Sequence, residues 1–108
     1  MNPIVDFQFI SESKTKDSTG QVVSVKSYEN CLGMKRSIYE REFHQASQSG
    51  IRPEFVIETS AFNYGGQALI QYNGNEYSIY RTFQKGTDRI ELYCSERVGN
   101  NDGSGTGS

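Results

Sequence analysis

The chain has 108 residues, a net charge of −2 and a pI near 5.4, with 34% hydrophobic and 12% aromatic residues and a mean hydropathy of −0.67. A chain of that length forms one domain, burying roughly two-thirds of the surface it exposes unfolded. The acidic balance argues against a dedicated nucleic-acid groove, which carries a clear basic excess. No run approaches the ~20 apolar residues of a membrane-spanning helix. The single His and the two Cys, Cys31 and Cys94, can barely supply a four-ligand zinc site. The opening MNPIVDFQF lacks the basic region and apolar core of a secretory leader, so both cysteines read as free thiols of a cytosolic chain.

In chain order, Ile4 to Ile10 is expected as a first strand, with Phe7 and Phe9 on one face and Ile4 and Ile10 on the other. Ser11 to Gln21 reads as a polar linker around the turn signature Asp17-Ser18-Thr19-Gly20. Val22 to Tyr28 returns as a strand with Val23 and Val25 inward, giving a hairpin with a long charged tip. A shorter strand from Cys31 to Lys35 follows, Leu32 and Met34 inward, weakened by Gly33.

The hydrophobic period then changes. Ser37-Ile38-Tyr39-Glu40 has the form of a capping box, and Tyr39, Phe43 and Ala46 recur at helical spacing. Gly50 and Pro53 mark the end of this helix. Pro53 to Thr59 is expected as a strand with Phe55 and Ile57 inward, and Ser60 to Gly66 as a loop exposing Phe62 and Tyr64.

Gln67 to Arg97 reads as three consecutive strands. Asn73-Gly74 between alternating runs signals a type I′ hairpin turn, because both central residues need positive φ. Beyond it, Tyr77, Ile79, Arg81 and Phe83 share one face, and Lys85-Gly86-Thr87-Asp88 makes the second turn. In the last strand Ile90, Leu92 and Cys94 face inward, while Arg89, Glu91, Tyr93 and Ser95 face solvent. The expected fold is mainly β: a small antiparallel β-barrel of six to seven strands with one short inserted helix. Residues 1–98 form the domain, and 99–108 are a Gly/Ser-rich tail, flexible by composition.

Little in the chain suggests catalysis. His44 stands among Gln and Glu on a helix, and Cys94 lies on an apolar strand face, so a Cys/His couple is poorly placed. Glu54 and Glu58 share a strand face at about 13 Å, too far for an acid/base pair. Gly65-Gly66 lacks the Lys-Ser/Thr of a phosphate loop. No catalytic residue, metal or cofactor is expected. Lys35, Arg36, Arg41 and Arg52, with His44, outnumber Glu40 and Glu42 around the helix, which reads as a charged helix face or a weak DNA-phosphate contact. Tyr72, Tyr80 and Tyr93, read on the outer meander face, suit base stacking or a protein interface.

The order of these features resembles the head–tail joining family of tailed bacteriophages, also called head-closure or stopper proteins. The likeness runs over residues 4–98. It is carried by Tyr72, Gly74, Tyr77 and Ile79 of a Y-x-G-x-x-Y-x-I hairpin and by the I-E-L-Y-C strand from Ile90 to Cys94. It implies a non-enzymatic virion protein of the phage neck, assembled in the host bacterial cytoplasm as a homo-oligomeric ring. The ring would close the DNA-filled head below a portal or adaptor protein and dock tail-terminator or tail proteins. The implied roles fall on Lys35, Arg36, Tyr39, Arg41, His44, Gln48 and Arg52 as a lumen gate in transient contact with packaged double-stranded DNA. Lys14, Lys16, Asp17 and Ser18 would form a docking loop to the portal or adaptor. Phe62, Tyr64, Tyr80 and Tyr93 would make subunit contacts. The alternative is a small barrel module binding a peptide or single-stranded nucleic acid on its outer sheet face.

Overall fold

The computed structural model describes residues 3–97; the expected tail at 99–108 lies outside the described residues. Six antiparallel strands form one sheet: β1 (Ile4–Lys16), β2 (Val22–Arg36), β3 (Pro53–Ser60), β4 (Leu69–Tyr72), β5 (Asn75–Lys85) and β6 (Arg89–Glu96). A helix, α1 (Glu40–Gln48), joins β2 to β3. The strands run in the spatial order β1-β2-β3-β6-β5-β4, and β4 pairs back to β1 through Gln8 to Ile10, so the sheet closes on itself.

The meander read from the sequence is present, and its turns have the backbone their residues favour. Asn73 and Gly74 take φ of 54° and 83°, as a type I′ turn requires. Inside the ring, Phe7, Phe9, Cys31, Phe55, Ile57, Ile70, Ile90, Leu92 and Cys94 form the apolar core. Its aromatics meet edge to face, Phe7 on Phe9 at 5.1 Å and Phe55 on Tyr77 at 4.7 Å between ring centres.

Several expectations change in the first half. Ser11 to Lys16 is not a linker but the outer part of β1, paired residue by residue with Val22 to Ser27. A polar stretch makes a strand here because it leaves the core and has no inner face to bury. Val23 and Val25 are therefore 39% and 45% exposed rather than inward. Cys31 to Lys35 is no separate strand; it completes β2, and its facing is reversed. Cys31 and Gly33 point inward, whereas Leu32 is 60% exposed. Gly33 fits because β3 crosses close beneath it: a Cβ there would stand 2.5 Å from Ile57 Cγ2 and 2.9 Å from the Glu58 carbonyl oxygen. Thr59 fastens the same crossing by donating its hydroxyl to the Leu32 carbonyl at 2.8 Å.

The helix also begins later than its capping box implies. Tyr39, itself extended, is the N-cap and makes no side-chain capping bond; Ser37 lies two residues ahead of it, its carbonyl accepting from Arg36 at 3.1 Å. Glu40 and Glu42 instead place negative charge in the first turn, where the helix dipole favours it. The end is as expected. Gly50 takes φ of 80°, and the Ile51 amide donates back to the Ala46 carbonyl in a Schellman closure.

Gly33→Ala should lower unfolding stability by about 1–3 kcal/mol, since the methyl must push apart packed backbone and Ile57. Urea denaturation followed by circular dichroism measures it; an unchanged midpoint would contradict the close approach of β2 and β3.

Candidate functional site

The region expected to be functional is where β2 ends, α1 begins and β5 and β6 pass beneath. Its geometry starts from an irregularity in β5. Ile79 opposes Cys94 and Arg81 opposes Tyr93, so Tyr80 is an extra residue, a β-bulge. The bulge turns Tyr80 and Arg81 toward the same carboxylate. Tyr80 donates its hydroxyl to Glu42 at 2.9 Å, and Arg81 pairs with Glu42 at 2.7 Å. Beyond the bulge the faces exchange. Thr82 stands opposite Leu92, while Phe83 leaves the expected inner face, opposes Glu91 and is 52% exposed.

The outer face of β6 is consequently dry rather than solvent-facing. Glu91, Tyr93 and Ser95 are all buried. Tyr93 donates its hydroxyl to Glu91 at 2.9 Å, and Arg36 reaches Glu91 and the Tyr93 oxygen at 3.3 Å each. Arg81 stacks 3.9 Å over the Tyr93 ring, and Arg36 stacks 4.2 Å over Tyr39. The result is a continuous polar network, Arg36–Glu91–Tyr93–Arg81–Glu42–Tyr80, beneath α1. Ala46 and Val56 are buried on this side, outside the core cluster, where α1 packs on β3. The seam of the helix thus runs through Glu42 and Ala46, while Tyr39 and Phe43 stay largely exposed.

This placement divides the expected site residues. Arg36 is committed to the network, its side chain only 14% exposed. Lys35 turns to the end of the closed sheet, its ammonium 5.4 Å from the Phe55 ring centre and 5.8 Å from that of Tyr72. Both cations are thus placed against other groups of the same chain. Arg41, His44 and Gln48 remain exposed on α1, His44 lying 3.5 Å from Glu40, and Arg52 is exposed 3.8 Å from Glu96. Lys14, Lys16, Asp17 and Ser18 are exposed together at the hairpin tip, where Asp17 Oδ1 accepts from the Thr19 amide and hydroxyl and from the Gln21 amide. Those bonds, that of the Thr19 hydroxyl first, hold the Asp17 carboxyl below its ordinary range.

Of the expected subunit contacts, Phe62 projects from a single 3₁₀ turn and is 84% exposed. Tyr64 lies half-buried, 5.9 Å from the Phe9 ring. Tyr80 and Tyr93 are drawn into the network, and Tyr72 packs on Phe55 at 5.4 Å, so these three offer no open stacking platform. Sequence reasoning missed Glu42, Arg81 and Glu91, whose roles depend on the bulge. Cys31 and Cys94 are free and buried; burial pushes both thiols up, Cys94 strongly, away from the reactive thiolate.

Among the described residues no group of His, Cys, Asp and Glu is arranged to hold a metal ion, and no helix is long and apolar enough to cross a membrane. No protein-family model matches the chain, and no curated protein matches it either.

Arg81 holds the Glu42 carboxyl below its ordinary 4.5, with the Tyr80 hydroxyl assisting, against the opposing effect of burial. At Glu58 burial opposes the charge, but bonds from Arg89 and Lys85 prevail and lower that carboxyl too. A carboxylate depressed in the folded state stabilises above its unfolded pKa, and this contribution disappears as pH falls through the folded value. Stability should therefore decline below about pH 4.5, the ordinary value of both groups. Glu42→Gln should cost about 1 kcal/mol at pH 7, its partner Arg81 being partly solvated. Thermal melts from pH 7 to pH 3 should show the gap between variant and wild type closing with acid. A gap independent of pH would remove the charged role of Glu42.

Proposed function

We propose that the protein is a structural component of a phage neck, a head-closure ring subunit that acts by contact rather than catalysis. The observation that carries the reading is the β1–β2 hairpin. It is paired through its whole length, yet from Ser11 to Asn30 every residue is exposed. A two-stranded ribbon standing away from its own core is marginal in water, and an assembling protein has a use for it as an arm. The order of Tyr72, Gly74, Tyr77 and Ile79 and of the Ile90–Cys94 strand, all on the meander, supports the same family reading.

On this reading the closed sheet is a small barrel, and copies of it surround the DNA path under a portal or adaptor protein and receive tail proteins below. The tip residues Lys14, Lys16, Asp17 and Ser18 dock on the portal side. Arg41, His44, Gln48 and Arg52, the exposed members of the helical cluster, are those free to touch passing double-stranded DNA. Their sparse positive charge suits transient contact, because affinity for duplex grows with the number of phosphates neutralised. A binding module working through outer-face tyrosines is less well supported, since Tyr80 and Tyr93 are already engaged within the chain.

Purified protein added to DNA-filled heads that carry a portal should form a ring at that vertex in negative-stain images and keep the DNA from a nuclease. Replacing Arg41, His44 and Gln48 together by alanine should leave the ring in place while DNA leaks. A persistent monomer that ignores such heads and retards oligonucleotides at moderate salt would replace this reading with the binding module.

A further inference from the structure

Helix α1 is joined to the closed sheet by few bonds, and they are concentrated at one residue. Its nine residues bury a single apolar side chain, Ala46, and no side chain caps its first turn. No basic residue stands in the last turn to oppose the helix dipole. A helix this short is not stable in water by itself, so docking holds it. The polar part of that docking is Glu42, which accepts from the Tyr80 hydroxyl at 2.9 Å and from Arg81 at 2.7 Å and 3.4 Å. Toward its other end the helix is undercut. A cavity of about 490 Å³ lies between Phe43 and Ser47 on the helix and the chain from Gly50 to Glu54.

The rest of the network does not need the helix. Arg36, Glu91 and Tyr93 bond to one another entirely within β2 and β6. With α1 lifted, these three keep their partners, and no charge is left buried and unpaired. Only Glu42, Tyr80 and Arg81 exchange bonds within the chain for bonds to water, and the Arg81 side chain is already 43% exposed. The segment is also bounded by two fixed points. Ahead of it the Ser37 carbonyl accepts from Arg36 at 3.1 Å, and behind it the Arg52 carbonyl accepts from the Glu96 amide at 3.1 Å. Between them Gly50, at φ 80°, has the freedom a hinge needs.

We propose that α1 is a latched lid, which swings off the outer face of β6 as one unit, with Glu42 as the latch, while the ring stays closed. Opening uncovers Val56 and Tyr93 and frees the Arg81 guanidinium from Glu42. It is a local opening, distinct from unfolding of the whole chain. A partner that takes the uncovered face holds the lid open, and its affinity is reduced by the fraction of time the lid is shut. The inference uses only bonds within one copy and stands apart from the neck reading.

Residue-resolved hydrogen exchange on the full chain at pH 7 tests it. The amides of Phe43, Ser49 and Ile51 are bonded at the two ends of the lid. They should exchange on the order of a hundredfold faster than those of Leu92 and Cys94. Their rates should also depend only weakly on added urea, because a local opening exposes little surface, whereas the Leu92 and Cys94 rates climb steeply. Glu42→Gln and, from the sheet side, Tyr80→Phe should each raise all three lid rates about fivefold, the equivalent of one partly solvated bond to a charge. Lid amides that share the steep urea dependence of Leu92 and Cys94 would overturn the lid, since α1 would then open only with the whole domain. Variants that speed Phe43 but leave Ser49 and Ile51 unchanged would overturn it too, as fraying from one end.

Discussion

Strand β6 is buried on both faces, and the rest of the molecule is arranged around that constraint. Ile90, Leu92 and Cys94 point into the ring, while Glu91, Tyr93 and Ser95 on the other side are equally withdrawn from water. The inner face needs only apolar neighbours, which β3 and β5 provide from either side. Covering the outer face is harder, because a buried carboxylate without partners is costly. The bulge at Tyr80, the Arg36 guanidinium and the docked helix all answer that one requirement.

The network that results is held by geometry as much as by charge. Arg36 and Glu91 are nearly buried, and such a pair offsets its desolvation only when the remaining hydrogen-bonding capacity is used. Tyr93 supplies that: its hydroxyl donates to Glu91 and accepts from Arg36, and its ring lies under Arg81. Glu42 extends the chain of contacts into α1, so the helix is anchored by a carboxylate and a small apolar seam. Most of its surface stays free. The basic side chain nearest the sheet, Arg36, is held in the network, and those farther along the helix stay exposed.

The arm is the complementary case. Ser11 to Asn30 are exposed throughout, and none of them belongs to the apolar core cluster. Their pairing is regular, and their tip is closed by an Asx-type turn at Asp17. The ribbon reaches beyond a small closed interior, and the molecule is 52 Å in its longest dimension.

The amino-acid order by itself determined the meander, the Asn73-Gly74 turn, the inward set Ile90, Leu92 and Cys94, and the glycine end of the helix. These follow from backbone preference and period-2 alternation over a few residues, which no distant segment has to confirm. Only the tertiary structure decided the inward turn of Gly33, the outward turn of Phe83 and the burial of Tyr93. Each depends on a neighbour remote in the chain: β3 crossing at Gly33, β6 setting the bulge in β5, and α1 with Arg36 lying over β6. The arm shows the same division. Its valines signalled a strand, but a strand whose inner face meets no core has the same alternation as one that does. Where β3 and β4 cease to flank the ribbon is settled by how the ring closes, not by the residues of the ribbon.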